Sequence, residues 1–301
     1  MFEQPAFHQH SDTRAVSGAR QFVGQHPPTQ NHLLAALPLV NYERLLPELE
    51  PVVLPLGRII HESGDREKYL YFLTAGIVCR FYVMASGESA GIAVTGREGV
   101  IGVASFLGGE STPSQAEVLC AGYAYRVRAA LLKSEFERDG PLPQLLLRYT
   151  QMLFTQIGQL AACNRHHSLE QRLGRLLLSC LDRVPLNSVT MTHGRLADVL
   201  GVRREGVTQA TGTLQKAGLI HSSRGQIAVL DRSRLEARAC ECYAVVRREH
   251  ERLLADYQRV EDAARGREIT RLYKVRRIPR SSDARQHPVT CIATFDYAQA
   301  I

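Results

Sequence analysis

Between residues 52 and 128 the apolar positions fall in short runs. Val52–Leu54, Arg58–His61, Tyr69–Thr74, Ile77–Met84, Ala90–Thr95, Ala116–Cys120 and Ala124–Val127 are rich in β-branched, aromatic or other apolar side chains. Gly57, Ser63-Gly64-Asp65, Ala75-Gly76, Ser86-Gly87 and Gly96 separate them, and such residues supply turns. This spacing predicts an antiparallel sandwich or jelly-roll barrel, interrupted by a helix at about residues 100–107.

The pattern changes at Leu131. Leu142, Leu146, Tyr149, Leu153, Gln156, Leu160 and Cys163 recur at alternating spacings of four and three, the period of a heptad seam. The narrow stripe predicts a helix over 141–164 that pairs with a second copy, with Gln156 fixing the register. Leu145, Met152 and Ile157 are left to touch the sandwich.

Ser168 is placed to cap the next helix, whose apolar face is Leu169, Leu173, Leu176, Leu177 and Cys180. Thr192 can cap a short helix over about 193–200, with Leu196, Ala197 and Leu200 inward. Gly201 permits a sharp turn, and Val202 fills the corner before a second helix over about 203–217 with Val207, Ala210 and Leu214 inward. Leu219–Ser222 and Gln226–Leu230 then alternate as strands around Ser223-Arg224-Gly225. The pattern is a helix-turn-helix followed by a hairpin wing with a basic tip. Arg203, Arg204, Glu205, Thr208 and Gln209 share the exposed leading turns of the second helix. Their side chains match the donor and acceptor patterns of base edges in a major groove. Thr192, Arg195 and Arg224 are placed for phosphate.

Charge sharpens this division. From His32 to Gly140 ten Lys/Arg stand against thirteen Asp/Glu, whereas from Leu169 to Leu235 ten stand against five. The basic half suits a polyanion, and duplex DNA is the expected partner. Residues 1–31 are polar and broken by Pro5, Pro27 and Pro28, which predicts a flexible arm. Residues 237–257 read as a charged helix and 258–301 as a basic, disordered tail. No run of eighteen apolar residues occurs, so no membrane partner and a cytoplasmic location are expected. The seven cysteines include no C-x-x-C pair. Cys240 and Cys242, read as two positions of one helix, would point in different directions, so metal ligation is not expected. No phosphate-binding loop, nucleophile elbow or H-E-x-x-H motif is present, and His166-His167 has no evident carboxylate partner in the sequence. An enzyme is not expected.

Gly64-Asp65, Tyr71-Phe72-Leu73 and Gly76-Ile77-Val78 look like the opening strands of a cyclic-nucleotide-binding-type domain. The heptad helix, the Leu169–Leu181 helix and the stretch from Leu196 to Thr208 resemble the Crp/Fnr family of bacterial transcription regulators. The resemblance spans roughly residues 32–236. It implies an α+β chain: an N-terminal β jelly-roll sensor domain (32–140), a dimerisation helix (141–164) and a C-terminal winged helix-turn-helix domain (165–236). It also implies a homodimer on a palindromic site, with RNA polymerase as a further partner. Arg204 and Glu205 match the family's pair that reads a G and a C. Gln209 stands where the cyclic-AMP receptor protein has Arg. In the effector pocket, Gly102 and Ser114 match the family pattern, but Val103 replaces its ribose-binding Glu and Pro113 its phosphate-binding Arg. Cyclic AMP is therefore not the expected effector, and no cofactor is expected. The iron–sulfur branch's N-terminal cysteines have no counterpart, since residues 1–78 contain no cysteine. His61 and Cys79 are weak haem-ligand candidates. The alternative is a nucleotide sensor acting through protein contacts without specific DNA binding.

Overall fold

The computed structural model describes residues 26–138 and 140–255. Most of the predicted arm, the last two residues of the predicted C-terminal helix and all of the predicted tail lie outside these residues. Residues 26–31, assigned to the arm, instead pack on the sheet. Asn31 is fully buried; its amide donates to the carbonyls of Leu73 (3.0 Å) and Gly99 (2.9 Å). Its side-chain oxygen accepts from the first amides of helix α1 (His32–Ala36), which α2 (Leu39–Leu45) follows.

An all-antiparallel sheet comes next, as the run-and-turn pattern predicts. β1 (Glu50–Leu54), β6 (Gln115–Arg128), β3 (Tyr69–Val83) and β4 (Ser89–Thr95) lie in that spatial order. β2 (Ile59–His61) pairs with β6 and β5 (Val100–Ile101) with β3. Helix α3 (Ala104–Leu107) follows β5, and α4 (Ala129–Glu137) follows β6.

Two pairs of predicted strands merge. Ala75-Gly76 is not a turn but an irregularity inside β3, opposite Gly122 in β6, and the register shifts there. A Cβ on Gly76 would meet the Cys120 carbonyl oxygen at 2.6 Å, and one on Gly122 the Ala75 oxygen at 2.1 Å. The glycines are required by close backbone approach rather than chain reversal. The bulge also changes the facing parity. Tyr71 and Leu73 before it share one apolar cluster with Val78 after it. β3 is buried along nearly its whole length because both of its faces are covered. Ile77, Cys79 and Phe81 lie in a core shared with the C-terminal helices.

The long helix α5 (Pro141–His166) leads to α6 (Leu169–Leu181), which opens with a reciprocal cap between Ser168 and Gln171. Then come β7 (Ser188–Thr190), α7 (His193–Leu200), α8 (Arg204–Lys216), β8 (Ile220–Ser223), β9 (Gln226–Val229) and α9 (Arg232–Arg238). β7 joins the wing as a third strand beside β9, an element too short for the sequence pattern to reveal. The predicted continuous C-terminal helix is broken. Residues 239–241 are non-helical, and helix resumes over 242–255.

Candidate nucleic-acid interface

Thr192 caps α7 as expected, accepting from the Arg195 amide at 3.1 Å. Gly201 takes a left-handed conformation (φ 63°), which makes the turn into α8. Val207, Ala210, Thr211 and Leu214 bury the inner face of α8. Arg203, Arg204, Glu205, Thr208 and Gln209 are all exposed at its leading end. The Thr208 hydroxyl is engaged locally, donating to the Arg204 carbonyl and meeting His193 Nδ1 at 3.1 Å. That contact ties the two helices together and leaves chiefly the Thr208 methyl for a ligand. At the wing tip Arg224 (φ 49°) and Gly225 (φ 79°) are both left-handed, the pattern of a two-residue hairpin turn.

The chain matches the Crp-like helix-turn-helix domain over residues 171–238 and the cyclic nucleotide-binding domain over 51–139. The chain belongs to the Crp/Fnr family. A global nitrogen regulator of Synechocystis is 25% identical over 213 residues, covering 67% of this chain and 93% of that protein. FixK2 of Bradyrhizobium japonicum shares the fold, with a TM-score of 0.57 at 19% identity over 64% of this chain and 98% of that one. A Crp/Fnr regulator from Eubacterium rectale gives 0.56 at 20% identity, over 68% and 96%. Crp/Fnr proteins are transcription regulators, so the helix-turn-helix is a DNA-binding element here.

Three placements in this Crp/Fnr chain differ from the sequence reading. Arg195, read as a phosphate contact, is engaged within the chain. Its guanidinium pairs with Glu117 of β6 at 2.5 Å and lies 4.6 Å over the Phe81 ring. The apolar side of α7 packs on β4, which brings Arg195 onto the sheet. The proposed dimer seam is also buried within the single chain: Leu142, Leu146, Tyr149, Leu153, Gln156 and Cys163 are all at most 8% exposed. Tyr149 reaches Thr95 at 3.2 Å and Gln156 donates to the Val94 carbonyl at 3.2 Å, so the polar seam residue serves the sheet rather than a register. Leu160 is half-buried. The large apolar residues left outside are Leu147 and Phe154, 50% and 71% exposed. The third difference is His167, whose Nε2 lies 3.2 Å from a Glu241 carboxylate oxygen, a partner 74 positions away in sequence.

In the sensor domain Gly102 has φ 106°, and a Cβ there would meet the Tyr69 carbonyl at 2.6 Å. Val103 is buried in an apolar cluster with Phe106. Pro113 is exposed and its carbonyl accepts from Ser63, while the buried Ser114 hydroxyl faces Thr112 at 3.0 Å. These positions supply neither a ribose-binding carboxylate nor a phosphate-binding cation. Sequence reading missed the polar groups that are buried nearby. Glu67 accepts from the Ala104 amide at 2.7 Å and lies 3.4 Å from His61. Burial, the largest influence on His61, holds its imidazole below the ordinary value despite Glu67. Arg80 is 5% exposed, with Nε and one terminal nitrogen unpartnered among the described residues. A charged side chain inside the apolar run Ile77–Met84 was the signal available in the sequence. Burial also raises the Cys79 thiol, which marks it as an inert core group.

Proposed function

We propose that this chain is a homodimeric regulator that binds a palindromic duplex site, with α8 in the major groove and the wing on the backbone. The observation that carries the reading is the exposed cluster of Arg203, Arg204, Glu205 and Gln209 on a helix whose opposite face is buried, beside the Arg224 tip. Arg204 suits guanine O6/N7, Glu205 cytosine N4 and Gln209 adenine N6/N7. Arg203 and Thr208 flank these contacts, and Thr192 and Arg224 serve phosphate. The pairing surface is the outer row of α5: Leu147, Gln151, Phe154, Gly158 and Ala161. These residues again alternate at four and three, and a Cβ at Gly158 would meet nothing within 4 Å. Dimer symmetry sets half-sites about one helical turn, roughly 10 base pairs, apart. Bound there, the protein would act through RNA polymerase. Val103 and Pro113 speak against cyclic AMP as the effector. The test is selection of bound DNA from a random library with the full chain. A palindromic consensus is expected. An unselected pool, with binding only to protein partners, would favour the protein-contact alternative.

A further inference from the structure

At the lower end of α5 the break at residues 239–241 turns two thiols toward the long helix. Cys163 Sγ lies 3.5 Å from Cys240 Sγ, and Cys242 Sγ lies 3.4 Å from His167 Nδ1. The four donor atoms all lie within 4.8 Å of one another. The three cysteines are at most 3% exposed and form a core cluster with no aliphatic member. We propose that Cys163, His167, Cys240 and Cys242 bind one zinc ion in a tetrahedral Cys3His site. The inference is independent of how the protein reads DNA.

The spacing selects the class of metal. Zinc bonds of about 2.3 Å to sulfur and about 2.0–2.1 Å to nitrogen, at tetrahedral angles, separate ligand atoms by roughly 3.6–3.8 Å. The Cys163–Cys240 and Cys242–His167 contacts, 3.5 and 3.4 Å, fall about 0.1–0.2 Å short of that range, and none of the remaining pairs is wider than 4.8 Å. An iron–sulfur cluster distributes its thiolates over separate irons and needs a wider cradle. Three thiolates and one imidazole are also the donor set that soft-to-borderline divalent zinc prefers over calcium or magnesium.

The surroundings are those of a ligand set rather than an apolar pack of thiols. His167 presents Nδ1 to the sulfurs while Nε2 faces Glu241 at 3.2 Å, the carboxylate–histidine arrangement that orients a metal-bound imidazole. The Gln159 amide donates to Cys242 Sγ at 3.2 Å. Arg172 and Arg175 of α6 act electrostatically on the cluster, and among the described residues each has a buried Nε without a hydrogen-bond partner. A zinc ion with three thiolates carries one net negative charge, which these guanidinia would balance. Binding replaces the thiol protons, which pass to solvent, and oxidises nothing. The ion would tie the end of α5 to the segment after α9, at the joint where the DNA-binding half begins.

The experiment is a cobalt(II) titration of the full chain, prepared metal-free under reducing conditions, together with metal analysis of the protein as purified. One zinc per chain is expected as isolated. Cobalt should give the intense visible bands of a tetrahedral site and a thiolate charge-transfer band, saturating at one equivalent. Cys242→Ser should lower the charge-transfer intensity by about a third. Glu241→Gln, at an exposed position, should weaken cobalt binding about 10–100-fold while leaving the spectrum tetrahedral. Cys120→Ser, outside the cluster, should change neither. If Cys242→Ser does not fold, the wild-type spectrum and Glu241→Gln still decide. Weak octahedral bands, no saturable uptake, an iron–sulfur chromophore, or a Cys163–Cys240 disulfide in the protein as purified in place of zinc would each overturn the assignment.

Discussion

Arg224 illustrates how a single residue can serve function against local preference. A non-glycine residue at φ 49° costs roughly 1–2 kcal/mol relative to an unstrained one, and the turn keeps an arginine there. Arg224→Gly is expected to stabilise the fold by about 1 kcal/mol in a denaturant titration. The same change should weaken DNA binding for all sequences alike and lower the salt slope by about one. Gln209 has the opposite character. It is exposed on the helix rather than strained, and its amide suits adenine. Gln209→Arg should move one position of the selected consensus toward guanine, with a discrimination of about 1–3 kcal/mol. A consensus unchanged by Gln209→Arg but altered by Arg224→Gly would show that the wing, not α8, reads the bases.

Among the elements, α5 is the one whose surroundings sequence could not supply. Its apolar residues are not confined to one row: Leu147 and Phe154 keep the same spacing as Leu146 and Leu153, so the heptad period fits two stripes. Periodicity marks Leu146 and Leu153 as one row but does not say whether a sheet or a second copy covers it. Here the sheet does, and Phe154 marks the other row. Phe154→Glu should therefore give a folded monomer by light scattering, with weakened binding to a palindrome. Leu146→Glu should instead lower thermal stability in the monomer itself, because it places a charge at a fully buried site. The helix-turn-helix was legible because caps, Gly201 and the inward Leu196, Val207 and Leu214 are local signals. The β3 bulge was not, since Ala75-Gly76 reads as a turn unless Gly122 is known to lie opposite. The thiol cluster was hidden for the same reason: Cys163 and Cys240 are 77 positions apart and meet only in the fold.

Across the whole molecule, the two domains are joined by buried charge as well as apolar surface. Arg183, two residues past the end of α6, pairs with Glu98 of the sensor domain at 2.7 Å. Burial alone would raise Glu98, and the adjacent Arg183 overrides it, so the carboxyl stays below its ordinary value. His32 and His250 stack over the same junction, facing Glu98, Arg97, Arg183 and Glu251. Burial is the largest influence on both and holds each below the ordinary 6.5. The unfolded chain thus binds protons that the folded chain refuses. Stability should be full above pH 6.5 and fall as pH drops below it, and His250→Gln should flatten that slope in a melting series. Arg195 offers a second test at this scale. If its service is to hold α7 on β6 through Glu117, then Arg195→Ala should leave DNA affinity unchanged or higher. A uniform loss of affinity with a smaller salt slope would return it to the phosphate backbone.

The core that Ile77, Cys79, Phe81, Val94 and Leu119 share with Leu196, Val199 and Leu200 limits how any effector could act. Uncovering the four large sensor-side chains to water would cost at most roughly 6–12 kcal/mol, at about 1.5–3 kcal/mol each. The entire binding energy of a micromolar ligand is about 8 kcal/mol. A ligand moves an equilibrium only by its difference in affinity between the two states, which is a fraction of that total. Detaching the DNA-binding half into solvent would therefore consume most or all of what a micromolar ligand supplies. The less costly transition is a sliding one, in which α7 exchanges one set of sheet contacts for another and the apolar face is never wetted.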